Sequence, residues 1–309
     1  MRIPFAGPRV KLPQMLVAGL RERSAARSAP EREESFEHGG HRLAYEVYGA
    51  GRGETIILLH GILLNTHCNR DVAAWLSAEG YRVVLLDLLG HGRSDKPLKA
   101  AEHRVDFYAE QVLGLMDHLG IERAILGGLS LGAMTSLTVA CAAPQRVKAL
   151  MLEMPVAESG VPAAAIFLIP LMLTVHYARP AWRVLARVMR ALPETPYPLL
   201  NSAINAGRAD PEAIRAILHG VLVGPIVPSL RRRRQVQQPV LVIGHAGDPM
   251  HDLADARAMK RYLPNAEVLI ARSMIELRTK PERLRPAILD FLRRAADDVP
   301  GVMPVAANG

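Results

Sequence analysis

Short apolar runs of strand length alternate with helical segments over most of the chain. Runs rich in Ile, Val and Leu occupy residues 54–60, 81–87, 123–128, 147–153, 239–245 and 266–271. Such runs are typical of strands buried on both faces of a parallel sheet. Residues 41–49, HRLAYEVYG, predict one more strand with an exposed face.

Helical patterns fall between these runs. Residues 71–79 predict one helix, and residues 106–119 predict a stronger one, with Asp106 as its cap and Gly120 at its end. A third begins after residue 128 and ends at Pro144. Because strands and helices alternate, the predicted class is α/β with a mainly parallel central sheet flanked by helices.

The alternation defines a core that an insertion interrupts. We assign residues 36–155 and 239–298 to the core and residues 156–238, with their apolar helical segments and prolines, to an inserted helical cap. Residues 1–35 predict a flexible basic arm, and residues 299–309 predict a tail. One domain with an insertion fits this chain length.

Residues 159–175 are uncharged and nearly long enough to span a membrane. Pro162 and Pro170 interrupt them, so we interpret the segment as an apolar cap helix. Further apolar cap residues, such as Trp182 and Val188, pack the cap on the core, line a pocket for an acyl chain or another apolar group, or do both. His176, His219 and Tyr177 are candidate polar residues of that pocket.

The formal net charge is +8, with arginines concentrated near the N-terminus and at Arg231–Arg234. This charge fits either a solvated surface or peripheral contact with an anionic membrane. An aromatic content of 5% argues against a nucleic-acid partner. Two cysteines, Cys68 and Cys141, favour a reducing, cytoplasmic location. No dinucleotide, P-loop or zinc pattern is present, so no cofactor or metal is expected.

The most informative motif is G-x-S-x-G at residues 128–132, with Ser130 at its centre. A predicted strand precedes it and a predicted helix follows it, which is the context of a nucleophile elbow. Small residues allow the tight turn, so the serine hydroxyl projects above the sheet. The N-terminus of the following helix offers N–H groups to a developing oxyanion.

With this motif the chain resembles the α/β-hydrolase family over residues 36–155 and 238–297. His60-Gly61-Ile62 looks like the family's oxyanion loop, and Asp87–Ser94 looks like its D-x-x-G-x-G-x-S turn. The resemblance implies that the N–H groups of Ile62 and Leu131 form the oxyanion hole. It also implies structural roles for the histidines of these loops, His60 and His91.

The resemblance places the acid of a catalytic triad at Asp248, with Glu153 at the end of a preceding strand as the alternative. The family takes its histidine from the loop after the last strand, where this chain has Met274. No histidine follows His251 in the sequence. A serine needs a neighbouring base, so the usual triad is incomplete.

Three residues are candidates for the base. His251 lies three positions after Asp248 on a loop expected at the rim of the site, and we prefer it. His245 begins the same loop. Glu276 is a weaker candidate, as a base or as a group that orients one.

The leading hypothesis is a serine hydrolase that cleaves an ester or thioester of a small apolar substrate through an acyl-enzyme. Serine at the elbow disfavours the dehalogenase and epoxide-hydrolase chemistries, which resemble the family with a carboxylate nucleophile. The alternative, favoured by the missing histidine, is a ligand-binding or interaction module built on a hydrolase fold. A peripheral membrane role is compatible with either hypothesis.

Overall fold

The computed structural model describes residues 29–49, 53–248 and 250–297. The strands are β1 (Arg32–His38), β2 (His41–Tyr48), β3 (Thr55–Leu59), β4 (Arg82–Leu86), β5 (Ala124–Leu129), β6 (Val147–Glu153), β7 (Val240–His245) and β8 (Ala266–Ala271). They form one sheet in the order β1-β2-β4-β3-β5-β6-β7-β8. The six strands β4-β3-β5-β6-β7-β8 are each parallel to their neighbours in this order. The strand β2 is antiparallel to both β1 and β4.

Helices cover both faces of the sheet. They are α1 (Arg70–Ala78), α2 (Val105–His118), α3 (Leu131–Ala142), α4 (Gly160–Tyr177), α5 (Arg179–Ala191), α6 (Pro198–Arg208), α7 (Pro211–Val223), α8 (Leu230–Arg233), α9 (Leu253–Tyr262), α10 (Glu276–Thr279) and α11 (Arg285–Asp297). One core cluster joins the sheet to α2, α3 and α9, and a second joins its other face to α1 and α11. This architecture confirms the predicted fold class.

Every predicted strand is present, but the structure also contains elements that the sequence analysis missed. β1 begins at Arg32, so residues 32–35 belong to the sheet and not to the predicted arm. Its hydrophobic signal is weak because Phe36 is the one buried residue of this edge strand. The helix α9 was also missed. Residues 1–28 of the predicted arm and the predicted tail lie outside the described residues.

The predicted cap of the helix α2 was wrong. The helix begins at Val105, with Arg104 at the N-cap position. Asp106 lies inside the first turn, where its carboxylate accepts from the N–H of Phe107 and binds the Arg104 guanidinium. The carboxylate therefore acts within the first turn, where negative charge also favours the helix dipole.

Residues 156–238 leave the sheet after β6 and return to it at β7, and they contain α4 to α8. The helix α4 is long and apolar enough to cross a membrane, with a mean hydropathy of 1.7, yet one face of it packs in a cluster with α7. Ile62, Leu63 and Met250, from loops at the carboxyl end of the sheet, complete this cluster. The inserted helices therefore lie over that end of the sheet.

The buried carboxylate of Asp255 ties α9 to the start of α4. Its Oδ2 accepts from the N–H groups of Ala157 and Gly160, each at 2.6 Å, and its Oδ1 accepts from Ser159 at 2.9 Å. N–H groups at a helix start have no partner within the helix, so a carboxylate placed there stabilises it. Asp255 thus holds the inserted helices on the core.

We expect Asp255→Ala to lower the free energy of unfolding by about 3 kcal/mol, because it leaves buried N–H groups without an acceptor. The matched control is Asp252→Ala, which removes the exposed N-cap of α9, where Asp252 accepts from Ala254 at 2.7 Å. That loss should be about 1 kcal/mol. Urea unfolding followed by circular dichroism measures both. Equal losses for the two variants would contradict this role of Asp255.

Candidate active site

Ser130 lies at the junction of β5 and α3 with φ 52° and ψ −108°. A positive φ is uncommon for a residue other than glycine, and a tight turn must hold it there. Gly128 and Gly132 allow this turn, since a Cβ at either position would lie 2.7 or 2.5 Å from the carbonyl oxygen of Leu59. The Ser130 side chain makes no capping hydrogen bond to α3, so its hydroxyl is available to another group.

The structure brings Ser130, His251 and Asp248 together. His251 Nε2 is 2.9 Å from Ser130 Oγ, and its Nδ1 is 2.7 Å from Asp248 Oδ2. A carboxylate accepts hydrogen bonds, so the neutral imidazole carries its proton on Nδ1 and offers the lone pair of Nε2 to the serine hydroxyl. This is the arrangement that activates a serine nucleophile.

Asp248 and His251 come from a single turn after β7. Asp248 Oδ1 accepts from the backbone N–H groups of Met250, at 2.9 Å, and His251, at 3.1 Å. Burial opposes ionisation of Asp248, but the hydrogen bonds from the His251 side chain and from these N–H groups outweigh it and lower its pKa. The three-residue spacing thus lets one carboxylate shape the turn and orient the imidazole.

The alternative acid and base form a separate buried cluster. Arg278 binds the carboxylate of Glu153 through two nitrogens, at 2.6 and 2.8 Å, and His245 Nε2 lies 3.1 Å from it. His245 Nδ1 donates to the carbonyl of Ser273 at 2.7 Å. Both side chains are therefore occupied by partners other than the Ser130 hydroxyl. The backbone of Glu153 does reach the elbow, since its carbonyl accepts from Ser130 N–H at 2.9 Å.

The loop after β8 contributes no base to this arrangement. Glu276 binds the guanidinium of Arg283, at 2.8 Å, and accepts from the backbone N–H of Arg272. Met274, where the resemblance placed a histidine, lines the cavity next to Ser130. The histidine of the usual loop is thus replaced by an apolar wall.

The histidines expected to be structural bind backbone groups. His60 Nδ1 donates to Gly61 O at 2.8 Å and its Nε2 accepts from Leu88 N–H at 3.0 Å, while His91 Nδ1 donates to Leu89 O at 3.0 Å. Burial lowers the pKa of both imidazoles, so both are neutral. The bonds of His60 join the loop that carries Ile62 to the turn after β4, and the bond of His91 lies within that turn.

Within the described residues, neither Ile62 N–H nor Leu131 N–H donates a hydrogen bond to another protein group. Leu131 is the first residue of α3, where the helix dipole favours negative charge. Their assignment to an oxyanion hole remains a prediction.

A cavity of about 270 Å³ opens at Ser130. Its walls are mostly apolar and include Ile62, Leu64, Leu129, Met154, Leu199, Met250, Met274 and Ile275. Leu199, from α6, was not singled out from the sequence because only the fold brings it to the elbow. The sequence analysis named His176, Tyr177 and His219 as candidate polar residues of the substrate pocket. They line a different cavity of about 290 Å³ and are not among the residues that line this one.

The arginine run also differs from the sequence interpretation. Arg233 is 1% exposed, binds Glu158, and places its guanidinium 5.3 Å from the centre of the Tyr262 ring. It is a structural residue, whereas Arg231, Arg232 and Arg234 are exposed. The run is therefore not a continuous surface for anionic groups. In the described residues no cluster of three His, Cys, Asp or Glu side chains is arranged to hold a metal ion.

The family model for the alpha/beta hydrolase fold matches residues 54–183. The enol-lactonase from Burkholderia xenovorans LB400 superimposes with a TM-score of 0.69 at 22% identity, over 84% of this chain and all of that one. The chain has the α/β-hydrolase fold. The resemblance to this fold that the sequence predicted is confirmed.

Two curated relatives of this chain carry the names of hydrolases. A 2-hydroxy-6-oxononadienedioate/2-hydroxy-6-oxononatrienedioate hydrolase from Paraburkholderia phymatum is 40% identical over 36% of this chain and 39% of its own length. A haloalkane dehalogenase from Mycolicibacterium paratuberculosis is 27% identical over 73% of this chain and 77% of its own. Matches to the first relatives span only 32% to 39% of those proteins.

The cluster around Glu153 predicts that the stability of the fold depends on pH. Burial raises the pKa of Glu153, but Arg278 and His245 lower it more, from 4.5 to about 2. The ionised group therefore stabilises the fold fully above pH 4.5, and this contribution is lost as the pH falls towards 2. We expect Glu153→Gln to lower the melting temperature strongly at pH 7.

The difference from wild type should shrink progressively between pH 4.5 and pH 2, and differential scanning calorimetry across that range measures it. The control Glu282→Gln, at an exposed residue, should melt like wild type at every pH. A deficit of Glu153→Gln that stays constant with pH would contradict the assignment.

Proposed function

We propose that this protein is a serine hydrolase that cleaves esters or thioesters of small apolar acids. One observation carries the proposal: His251 bridges Ser130 Oγ, at 2.9 Å, and the buried carboxylate of Asp248, at 2.7 Å. It supports a complete set of nucleophile, base and orienting acid, with the base supplied by the acid's own loop.

In the proposed reaction, Ser130 Oγ attacks the substrate carbonyl as its proton passes to His251 Nε2. Asp248 holds the imidazole through Nδ1–H and stabilises the imidazolium that forms. The oxyanion receives hydrogen bonds from Ile62 and Leu131 N–H. His251 then protonates the leaving alcohol or thiol, and an acyl-enzyme remains. A water molecule, deprotonated by His251, releases the acid and regenerates Ser130.

The cavity favours an apolar acyl group of modest size. Its volume of about 270 Å³ is near the lower end for ligand pockets, and its walls are mainly Leu, Ile and Met side chains. Arg278 is the one cation among the described residues that line the cavity. Its guanidinium already binds the Glu153 carboxylate through two nitrogens, so it is not available to pair with a substrate carboxylate.

The serine at the elbow distinguishes the proposed chemistry from dehalogenation, which displaces halide from carbon with a carboxylate nucleophile. A binding module without catalysis is the competing hypothesis. The missing histidine after β8 motivates it, whereas the distance of 2.9 Å between His251 Nε2 and Ser130 Oγ supports the hydrolase.

We expect Ser130 to react rapidly with a fluorophosphonate probe, and His251→Ala to slow this labelling and the hydrolysis of p-nitrophenyl esters by about 10³-fold or more. Mass spectrometry of the labelled peptide identifies the residue. The matched control is Met274→Ala, which alters the same cavity at the position where the resemblance placed a histidine. It should retain labelling within about tenfold.

Full labelling of the His251→Ala variant would show that a residue other than His251 acts as the base. No labelling of native wild type, with the cavity shown to admit a small apolar ligand by thermal shift, would support the binding module.

A second variant tests the acid. In Asp248→Asn the amide donates to His251 Nδ1 and selects the wrong tautomer, so we expect kcat to fall roughly 10³- to 10⁴-fold with little change in KM. Asp252→Asn, on the same loop and exposed, is the control and should keep wild-type kcat. Unchanged kcat in Asp248→Asn would contradict the role of Asp248.

A further inference from the structure

The helix α4 exposes an apolar stripe opposite to its packed face. Ala164, Leu168 and Val175 are buried in the cluster with α7. Ile166, Ile169, Leu173 and Tyr177 recur at helical spacing on the other side, where Ile166 is 70% and Tyr177 is 79% exposed. Phe167 beside them is exposed as well. A helix that is apolar all round is normally buried all round, so this outer stripe requires an apolar partner.

The next helix, α5, continues this surface with a more amphipathic pattern. Its Trp182 and Ala186 face the protein, and Val184 and Val188, one turn apart, are exposed together with Leu185. The neighbouring stripe consists of Arg183, Arg187 and Arg190, which are exposed and pair with no carboxylate of the described residues. Exposed apolar and basic stripes on one helix are typical of helices that lie in a membrane interface.

The charge of this surface selects among the candidate partners. Residues 160–191 contain no Asp or Glu. Of their four arginines, Arg179 pairs with Glu212 of α7 at 2.9 Å, which leaves Arg183, Arg187 and Arg190 as the cations of this surface that pair with no carboxylate of the described residues. A second copy meeting this face through a two-fold axis would bring the same arginines together. The chain's own residues 1–28 are also basic, with Glu22 as their one acid. An anionic lipid surface offers both the opposite charge and an apolar layer.

The helix α4 meets such a surface without crossing it. Its start is held by Asp255, through the N–H of Gly160 at 2.6 Å, and its inner face packs against Ile62, Leu63 and Met250. Spanning a bilayer would require these contacts to break and would bury polar groups of the adjoining core.

We propose that the outer faces of α4 and α5, residues 160–191, dock on the surface of an anionic lipid bilayer. The apolar stripes enter the interface and the arginines bind the headgroups. The surface lies on helices whose other side contacts the loops of Ser130's site, so docking holds that end of the sheet near the bilayer. The proposal does not depend on hydrolytic activity.

The test is flotation of the full-length chain with vesicles of phosphatidylcholine and phosphatidylglycerol (3:1), compared with pure phosphatidylcholine. The Ser130→Ala background separates binding from any hydrolysis of lipid. One variant removes the apolar stripe (Ile166→Gln/Ile169→Gln/Val188→Gln) and another removes charge (Arg183→Gln/Arg187→Gln). The matched controls are Leu98→Gln, at a 57% exposed leucine outside the cap, and Arg257→Gln/Arg261→Gln on α9.

We expect stronger binding to the anionic vesicles, a decrease of about tenfold or more in the partition coefficient of both patch variants, and less than twofold change in the controls. Raising the salt from 0.1 to 0.5 M should weaken binding, and a carbonate wash should release the protein. Circular dichroism and melting should match wild type, because the replaced side chains are exposed.

The proposal is overturned if the wild-type chain does not float with anionic vesicles, or if the patch variants bind them as well as the controls do. Retention after the carbonate wash would also overturn it, in favour of a spanning helix. A patch variant that changes a dimer into a monomer, measured by light scattering, without changing the partition coefficient would assign the surface to a second copy.

Discussion

The contact between the start of α3 and the carboxyl end of β3 is the constraint on which the site depends. Gly132 lies so close to the Leu59 carbonyl that a Cβ would be 2.5 Å from it, and Gly128 is equally confined. This approach leaves Ser130 at a positive φ, with its hydroxyl 2.9 Å from His251 Nε2. The energy stored in that turn is offset by the buried strands around it, in which Ile57, Leu59 and Leu126 are fully buried.

A second constraint explains how the site can lack the usual histidine. A carboxylate and an imidazole on separate loops would meet only if two strands end in register. Asp248 and His251 instead lie on one turn, which the Asp248 carboxylate organises through hydrogen bonds from the backbone. Their relative position is therefore set locally. The residues that follow β8 have other contacts: Met274 lines the cavity, and Arg278 binds the Glu153 carboxylate.

The sequence pattern alone was enough to predict the elements that depend on neighbouring residues in the chain. Buried parallel strands appear as continuous apolar runs, and the elbow appears as G-x-S-x-G between a strand and a helix. The edge strand β1 was not predicted, because its charged residues face solvent and give no continuous apolar run. The sequence did not predict that Leu199 lines the cavity, that Asp255 binds the start of α4, or that Arg233 is buried. Each of these features depends on a partner distant in sequence, such as Glu158 for Arg233.

The helix α4 illustrates how one composition can serve two environments. Its inner residues must be apolar because they pack against Ile62 and Met250, which lie on the loops after β3 and β7. That packing does not require Ile166 or Leu173 to be apolar, since both are exposed. The mean hydropathy of α4 is therefore higher than its packing against the core requires. The excess is confined to one side, and the adjoining helix supplies arginines and no acid there, so the outer face is explained by an external partner rather than by the core.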